Sequence, residues 1–186
     1  IWGFGAMGIG MANMILKKEG IEIVSVCSRS TSGKSMYDVL GIERGERPEV
    51  IINKNYEEVF REKSVDVVLL ATDSFTKKAF DKIIFLLNRK INVISTAEQM
   101  AYPQADDADL AKKMDEVAKE NGVSILGTGI NPGFVLDLLV LALSGTCEEV
   151  TSIKAKRVND LSPFGKSVME EQGVGVTREE FIKGVE

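Results

Sequence analysis

Histidine is absent from all 186 residues. Its absence excludes imidazole metal ligands and imidazole acid/base catalysis within this stretch. Cysteine is scarce: Cys27 and Cys147 stand far apart, without the close spacing of a zinc site. They read as reduced thiols of a cytoplasmic protein. No apolar run approaches the roughly 20 residues that cross a bilayer. The most apolar stretch, Phe134 to Leu143, is short and interrupted by Asp137. There is no basic block. The 23 Lys and Arg are interspersed with 28 Asp and Glu, for a net charge of −5, and nucleic acid is not the expected partner. No signal peptide and no initiator Met are visible.

What is present is an ordinary globular composition, 44% hydrophobic and 27% charged. The length suits one full domain and part of another. Gly3-Phe4-Gly5-Ala6-Met7-Gly8 reads G-x-G-x-x-G, directly after the strand-like Ile1-Trp2 and before the helix-like Met11 to Lys18. In that setting Gly3 turns the chain off a strand and Gly5 lets the backbone approach a pyrophosphate. Gly8 lets the helix pack close to a sheet. The unpaired N–H groups of a helix's first turn face such an anion. The bland alternative is a glycine-rich turn that binds nothing. Two residues are few for a first strand, and Thr177 with Glu180 opens a helix by a capping box near the other end. The expectation is therefore an internal piece of a longer protein.

Strand and helix patterns then alternate. Strands are expected at Ile21 to Cys27, Val50 to Ile52, Val65 to Ala71, Ile91 to Ser95 and Val123 to Leu126. Helices are expected at Gly10 to Glu19, Ser35 to Leu40, Tyr56 to Glu62, Thr76 to Asn88, Asp106 to Asn121 and Gly133 to Leu143, the last opened by Pro132. This order implies an α/β fold: a Rossmann-type doubly wound parallel sheet with helices on both faces. Val150 to Val158 alternates like a strand of a different, half-exposed sheet. The expected division is a dinucleotide-binding domain over 1–147, with a truncated first strand. The start of a second α+β domain for substrate and dimerisation follows over 148–186.

Ligands of such sheets sit beyond the carboxyl ends of the strands, so the residues there are the candidates. Gly3, Phe4, Gly5, Ala6, Met7 and Gly8 form the phosphate turn. After the second strand, Ser28-Arg29-Ser30 carries no acid where an NAD-specific site places one on the ribose hydroxyls. A guanidinium flanked by hydroxyls suits a 2′-phosphate. NADP is therefore the expected cofactor, with NAD possible. An exposed Arg in a serine-rich loop is the plain alternative. Thr72 and Asp73 are expected along the cofactor, although Asp73 or Ser74 would also cap the next helix. Ala97, Glu98 and Gln99 follow the fifth strand, where Glu98 is placed to hold an ammonium or relay a proton, or is a solvated loop carboxylate. Asn131, Pro132 and Gly133 follow the sixth, either over the nicotinamide and substrate or as a plain turn with Asn131 as its cap. Asp137, one turn on, faces the site or the solvent.

Three segments together carry a resemblance. They are Ile1 to Gly8, Ile94-Ser95-Thr96-Ala97-Glu98-Gln99-Met100-Ala101-Tyr102-Pro103, and Gly127-Thr128-Gly129-Ile130-Asn131-Pro132-Gly133-Phe134. They resemble the 2,4-diaminopentanoate dehydrogenase family, within the wider dihydrodipicolinate-reductase-like group. The resemblance covers essentially the whole chain. It implies an NAD(P)-dependent oxidative deamination in ornithine breakdown, yielding 2-amino-4-oxopentanoate and ammonia. It also implies a C-terminal part that completes the substrate site and a homodimer interface. Dihydrodipicolinate reductases carry paired histidines where this chain reads Lys154-Ala155-Lys156-Arg157-Val158-Asn159-Asp160, which argues against that cyclic-imine activity.

For such a deamination, Glu98 or Asp160 would be the base, or would bind the ammonium groups of a small diamino acid. Gln99, Pro132 and Gly133 would touch the substrate, and Lys156 or Arg157 would pair with its carboxylate. A solvated charged strand edge is the alternative for the last two. Two other readings stand beside this one: a related NADPH-dependent imine or semialdehyde reductase, and a non-catalytic dinucleotide sensor.

Overall fold

A computed structural model describes residues 1–62, 64–158, 160–162, 169 and 173–184. The chain divides into two compact units, Ile1–Glu148 and Glu149–Glu186. Asn159, Val185 and Glu186 lie outside the described residues.

In the first unit, three parallel strands form a regular sheet: β1 (Val67–Leu70), β2 (Asn92–Ser95) and β3 (Ile125–Gly127), in that spatial order. Val68 pairs with Val93, and Ile94 with Leu126. Single parallel bridges extend the sheet on the other side of β1: Leu70 to Trp2, Trp2 to Cys27, and Cys27 to Asn53. From one edge, the order is Asn53, Cys27, Trp2, β1, β2, β3. The chain runs outward in one direction from Trp2 and in the other from β1. Strand order therefore reverses between Trp2 and β1, and there a doubly wound sheet opens its crevice.

The expected strand at Ile21 to Cys27 is not continuous; Cys27 alone bridges. Its neighbours are the two short segments Ile1-Trp2 on one side and Asn53 on the other, each joined by a single bridge. Cys27 donates to the Ile1 carbonyl at 2.8 Å, and Gly3 donates to the Cys27 carbonyl at 2.9 Å. Val50 to Ile52 likewise forms no strand; Ile51 makes a single antiparallel bridge to Ser35, and Asn53 beyond it makes the bridge to Cys27.

Helices cover both faces. Helix α1 (Ala6–Ile15) starts directly after Gly5, earlier than Gly10. With α2 (Met36–Leu40) it covers a core of Phe4, Ala12, Val26, Met36 and Ile52. On the other face α3 (Tyr56–Glu62), α4 (Thr76–Leu87) and α6 (Ala108–Asn121) cover Trp2, Val68, Leu70, Ile83, Leu86 and Met114. The short α5 (Pro103–Asp106) precedes α6. Ile83, Leu86 and Leu87 are fully buried, worth roughly 1.5–3 kcal/mol each. Their i, i+3, i+4 spacing is why α4 forms as an amphipathic helix. Asp107 accepts from the Leu110 N–H to cap α6, and Gly122 closes it in the left-handed conformation at φ 68°.

The expected helix from Gly133 is built differently. Gly133, at φ 121°, precedes a π-helical turn over Phe134–Leu138, which runs on into α7 (Leu139–Ser144). Pro132 thus precedes the helix instead of opening it, and Asn131 is not the cap. The carboxylate of Asp137 reaches back to accept from the Gly133 N–H at 2.7 Å.

In the second unit, Val150 to Val158 forms no strand. Among the described residues it has no ladder partner, and β pattern without a partner leaves the backbone groups unpaired. The expected capping box is present. Glu180 accepts from the Thr177 N–H at 2.8 Å, Thr177 Oγ1 accepts from the Glu180 N–H at 3.3 Å, and the helix Arg178–Gly184 follows.

Candidate functional site: a cleft at the strand reversal

The crevice at the strand reversal is a cleft of about 540 Å³. Gly3 and Gly5 line it together with Ser28, Arg29 and Ser30, Lys54 and Tyr56, and Ala71, Thr72, Asp73 and Lys82. Trp2 and Cys27 form part of its floor.

The three glycines of the turn have three different environments. Gly3 stands at φ 101°, and a Cβ there would run into the Ala71 carbonyl. Gly8 lies so close to the Gly3 carbonyl that a Cβ would overlap it. Gly5 is the opposite case: a Cβ there meets no protein atom within 4 Å. The turn is packed shut behind Gly3 and Gly8 and open in front of Gly5. Helix α1 has no side-chain cap and no acid in its first turn. Among the described residues, the N–H groups of Ala6, Met7 and Gly8 donate to no acceptor. Open space against bare glycine, beside uncapped N–H donors, fits a pyrophosphate. Phe4 contributes backbone only, because its ring is buried beneath α1.

At the far end, Ser28 and Ser30 approach each other at 3.4 Å between hydroxyls. On the β1 side, Asp73 Oδ2 accepts from Lys82 Nζ at 2.6 Å and from Thr72 Oγ1 at 2.7 Å. Burial pulls the Asp73 carboxyl upward. The hydrogen bonds from Lys82 and Thr72, with the charges of Lys82 and Lys78, outweigh it and hold the pKa below the ordinary value. Asp73 therefore stabilises the fold above its unfolded pKa and loses that contribution as pH falls through its folded value. Lys82→Met should move the Asp73 titration to higher pH, read by carboxyl-carbon NMR. An unmoved titration would contradict the pairing.

Neither Asp73 nor Ser74 caps α4. Phe75 holds the cap position, and the side-chain acceptor comes from Gln99, whose Oε1 takes the Thr76 N–H at 2.8 Å. The Gln99 N–H donates to the Ser74 carbonyl at 3.3 Å. Gln99 thus ties the loop after β2 to the loop after β1. Strand β3 joins them at its last residue, Gly127, where a Cβ would strike the Met100 carbonyl. Ala97 is buried and donates to Ser95 Oγ at 3.2 Å, outside the cleft lining. Glu98 is exposed at the start of a 3₁₀ turn over Glu98–Ala101. Asn131, Pro132 and Gly133 form a tight turn on the β3 loop; a Cβ at Gly133 would lie 2.6 Å from the Gly129 nitrogen.

Lys156, Arg157 and Asp160 belong to the second unit and are exposed there. Asp160 accepts from the Ser162 N–H at 2.9 Å and its hydroxyl at 2.8 Å, and these bonds lower its pKa.

Sequence reasoning missed Lys54, Tyr56 and Lys82. Lys54 follows the expected strand at Val50 to Ile52, so the strand-end rule itself points to it. Lys82 lies within α4 and reaches back to Asp73, and no spacing signals that.

The reversed strand order, the glycine turn and the charged cleft define a Rossmann-type dinucleotide-binding fold. The comparisons agree on the class. An amine dehydrogenase from Mycobacterium smegmatis superposes with a TM-score of 0.79 at 25% identity, over 99% of this chain and 54% of that one. A homoserine dehydrogenase from S. aureus shares the fold, with a TM-score of 0.51 at 18% identity over 68% of this chain and 30% of that one. The 2,4-diaminopentanoate dehydrogenase of Acetoanaerobium sticklandii is 62% identical over 187 aligned residues, 100% of this chain. The family described as the 2,4-diaminopentanoate dehydrogenase C-terminal domain matches residues 134–186. Over these 186 residues the chain is similar to a 2,4-diaminopentanoate dehydrogenase, and its residues 134–186 match the C-terminal domain of that family. It spans about half of the curated relative, 53% of its length.

Proposed function

We propose that the protein catalyses the NAD(P)-dependent oxidative deamination of 2,4-diaminopentanoate to 2-amino-4-oxopentanoate and ammonia. The observation that carries this reading is the 62% identity to a curated enzyme of that name along the whole chain. The cleft supports it with groups suited to a dinucleotide. Ala6, Met7 and Gly8 would hold the pyrophosphate by main-chain N–H groups, and Thr72 and Asp73 would follow the cofactor. Ala97 and Asn131 would flank the nicotinamide end. Arg29, with Ser28 and Ser30, favours NADP over NAD.

When bound, the nicotinamide would supply the acceptor for the hydride that leaves the carbon bearing the 4-amino group. The chain's own groups manage the protons. The amine must be neutral before that hydride departs, and exposed Glu98, in the 3₁₀ turn after β2, would take its proton. Water then attacks the substrate iminium and ammonia leaves. Overall, one water would be consumed, one ammonia released, and the substrate would give up a hydride and a proton. Asp160 is the less suitable base, since its carboxylate already accepts two bonds from Ser162.

Unit Ile1–Glu148 would be the dinucleotide-binding domain and Glu149–Glu186 the start of the substrate domain. Gln99, Pro132, Gly133, Lys156 and Arg157 would serve the diamino acid. By family resemblance the enzyme is read as a cytoplasmic homodimer. Among the described residues no helix is long and apolar enough to cross a membrane.

The test is the rise of the reduced-nicotinamide absorbance when full-length protein meets 2,4-diaminopentanoate and NADP⁺ or NAD⁺. Strict dependence on that substrate supports the reading. Binding without turnover, or oxidation of NADPH by a cyclic imine, contradicts it. Glu98→Gln should keep cofactor affinity and lower kcat by about 100-fold, within the usual range for removing a general base. An unchanged kcat would remove Glu98 from the chemistry.

A further inference from the structure

We infer that Lys54 is the second cation of a 2′-phosphate clamp, acting with Arg29 to set the preference for NADP. The inference rests on the dinucleotide reading of the cleft and deepens it.

Backbone register brings the two segments together. The Asn53 N–H donates to the Val26 carbonyl, and the Ser28 N–H donates to the Asn53 carbonyl, both at 3.0 Å. Ser28 and Asn53 are therefore neighbours at the carboxyl end of the sheet. The next residue of each segment is a cation, Arg29 on one and Lys54 on the other, and both line the cleft beside Ser28 and Ser30.

This end of the cleft carries positive charge without acidic partners. Asp73 is the one acid among the lining residues, and it is paired with Lys82 at 2.6 Å. Glu58 is the acid nearest Asn53 in the hydrogen-bond pattern, but Asn53 Nδ2 holds it at 3.4 Å and it does not line the cleft. Among the described residues, Arg29 and Lys54 make no ion pair or hydrogen bond. Both side chains are exposed in the cleft lining, so an anion entering this end meets two cations without acidic partners. The chain is net negative, with 28 acids to 23 bases, so acids to quench them were not lacking.

The ligand chemistry follows from position. The pyrophosphate turn lies at Gly5, and the strand end beyond it is where a doubly wound fold holds the adenosine ribose. A doubly charged phosphate monoester there would meet a planar guanidinium, an ammonium point charge and two hydroxyls. Arg gives two-pronged geometry and Lys gives charge, so each cation has its own role. Tyr56, two residues beyond Lys54, also lines the cleft and is stacked on Trp2 with centroids 4.6 Å apart. That ring fixes the start of α3, and with it the base of the Lys54 side chain.

The experiment uses the full-length protein and two small probes, adenosine 2′,5′-bisphosphate and adenosine 5′-monophosphate, with affinities from calorimetry. The unaltered protein should prefer the bisphosphate. Lys54→Met should weaken the bisphosphate by about tenfold, the size of one charge-assisted hydrogen bond, and leave the monophosphate unchanged. Lys54→Arg should retain most of the preference. Arg29→Met with Lys54→Met should abolish it. If Lys54→Met leaves the bisphosphate affinity intact, or weakens both probes equally, the clamp is overturned while the dinucleotide reading survives. If the unaltered protein has no preference for the bisphosphate, the NADP reading fails and the clamp with it.

Discussion

Gly3→Ala should lower the stability of the first unit by about 3 kcal/mol or more, combining a left-handed backbone with a packing overlap. The backbone stands at φ 101°, where an L side chain is strained from the outset. The added methyl would also occupy the place of the Ala71 carbonyl. That carbonyl belongs to the residue whose N–H donates to Trp2 at 2.7 Å, so relief by backbone movement would loosen the bridge between Trp2 and β1. The site and the sheet would fail together. Thermal or denaturant unfolding of the full-length protein measures this. A loss under 1 kcal/mol would mean that the turn is not packed as described.

Gly5→Val should have the opposite profile: unfolding unchanged within about 0.5 kcal/mol, and dinucleotide affinity lower by about 100-fold. Gly5 sits at φ −88°, which any residue adopts, and a Cβ there meets no protein atom within 4 Å. The space in front of it is free of protein. An isopropyl group there would stand before the uncapped N–H groups of α1 and displace a diphosphate from them. Melting temperature and NADPH titration of the same preparation separate the two effects. Retained affinity would place the phosphates elsewhere, and a collapsed melting temperature would mean that Gly5 is structural. The pair of substitutions divides one motif into a residue kept for packing and a residue kept for a ligand.

The parts of the site that were legible in sequence are the parts fixed by local chemistry. The glycine turn follows from the φ and proximity demands of a strand-to-helix phosphate loop, and Ser28-Arg29-Ser30 follows from lying after a strand. The Thr177–Glu180 capping box and the Asp107 and Gly122 caps depend only on near neighbours. The remainder depends on partners distant in sequence. The link from Gln99 to the loop after β1 is not visible in sequence, because the Thr76 N–H that it accepts from lies 23 residues away. Lys82 is an ordinary helix-surface lysine until the fold brings it to Asp73. Ile21 to Cys27 has full β character, yet pairing follows the partner, and Ile1-Trp2 supports one bridge. Val150 to Val158 has the alternation of a strand without a described neighbour. Asn131 is a good cap by composition, but Asp137 reaches the Gly133 N–H instead.

The central claim is that a dinucleotide diphosphate rests on the uncapped first turn of α1, in front of Gly5. The crystal structure of the full-length protein with NADPH tests it most directly. The account predicts pyrophosphate oxygens within hydrogen-bond distance of the N–H groups of Ala6 and Met7, with the adenosine end directed towards Arg29. A dinucleotide bound away from that turn, with those N–H groups facing solvent, would contradict it.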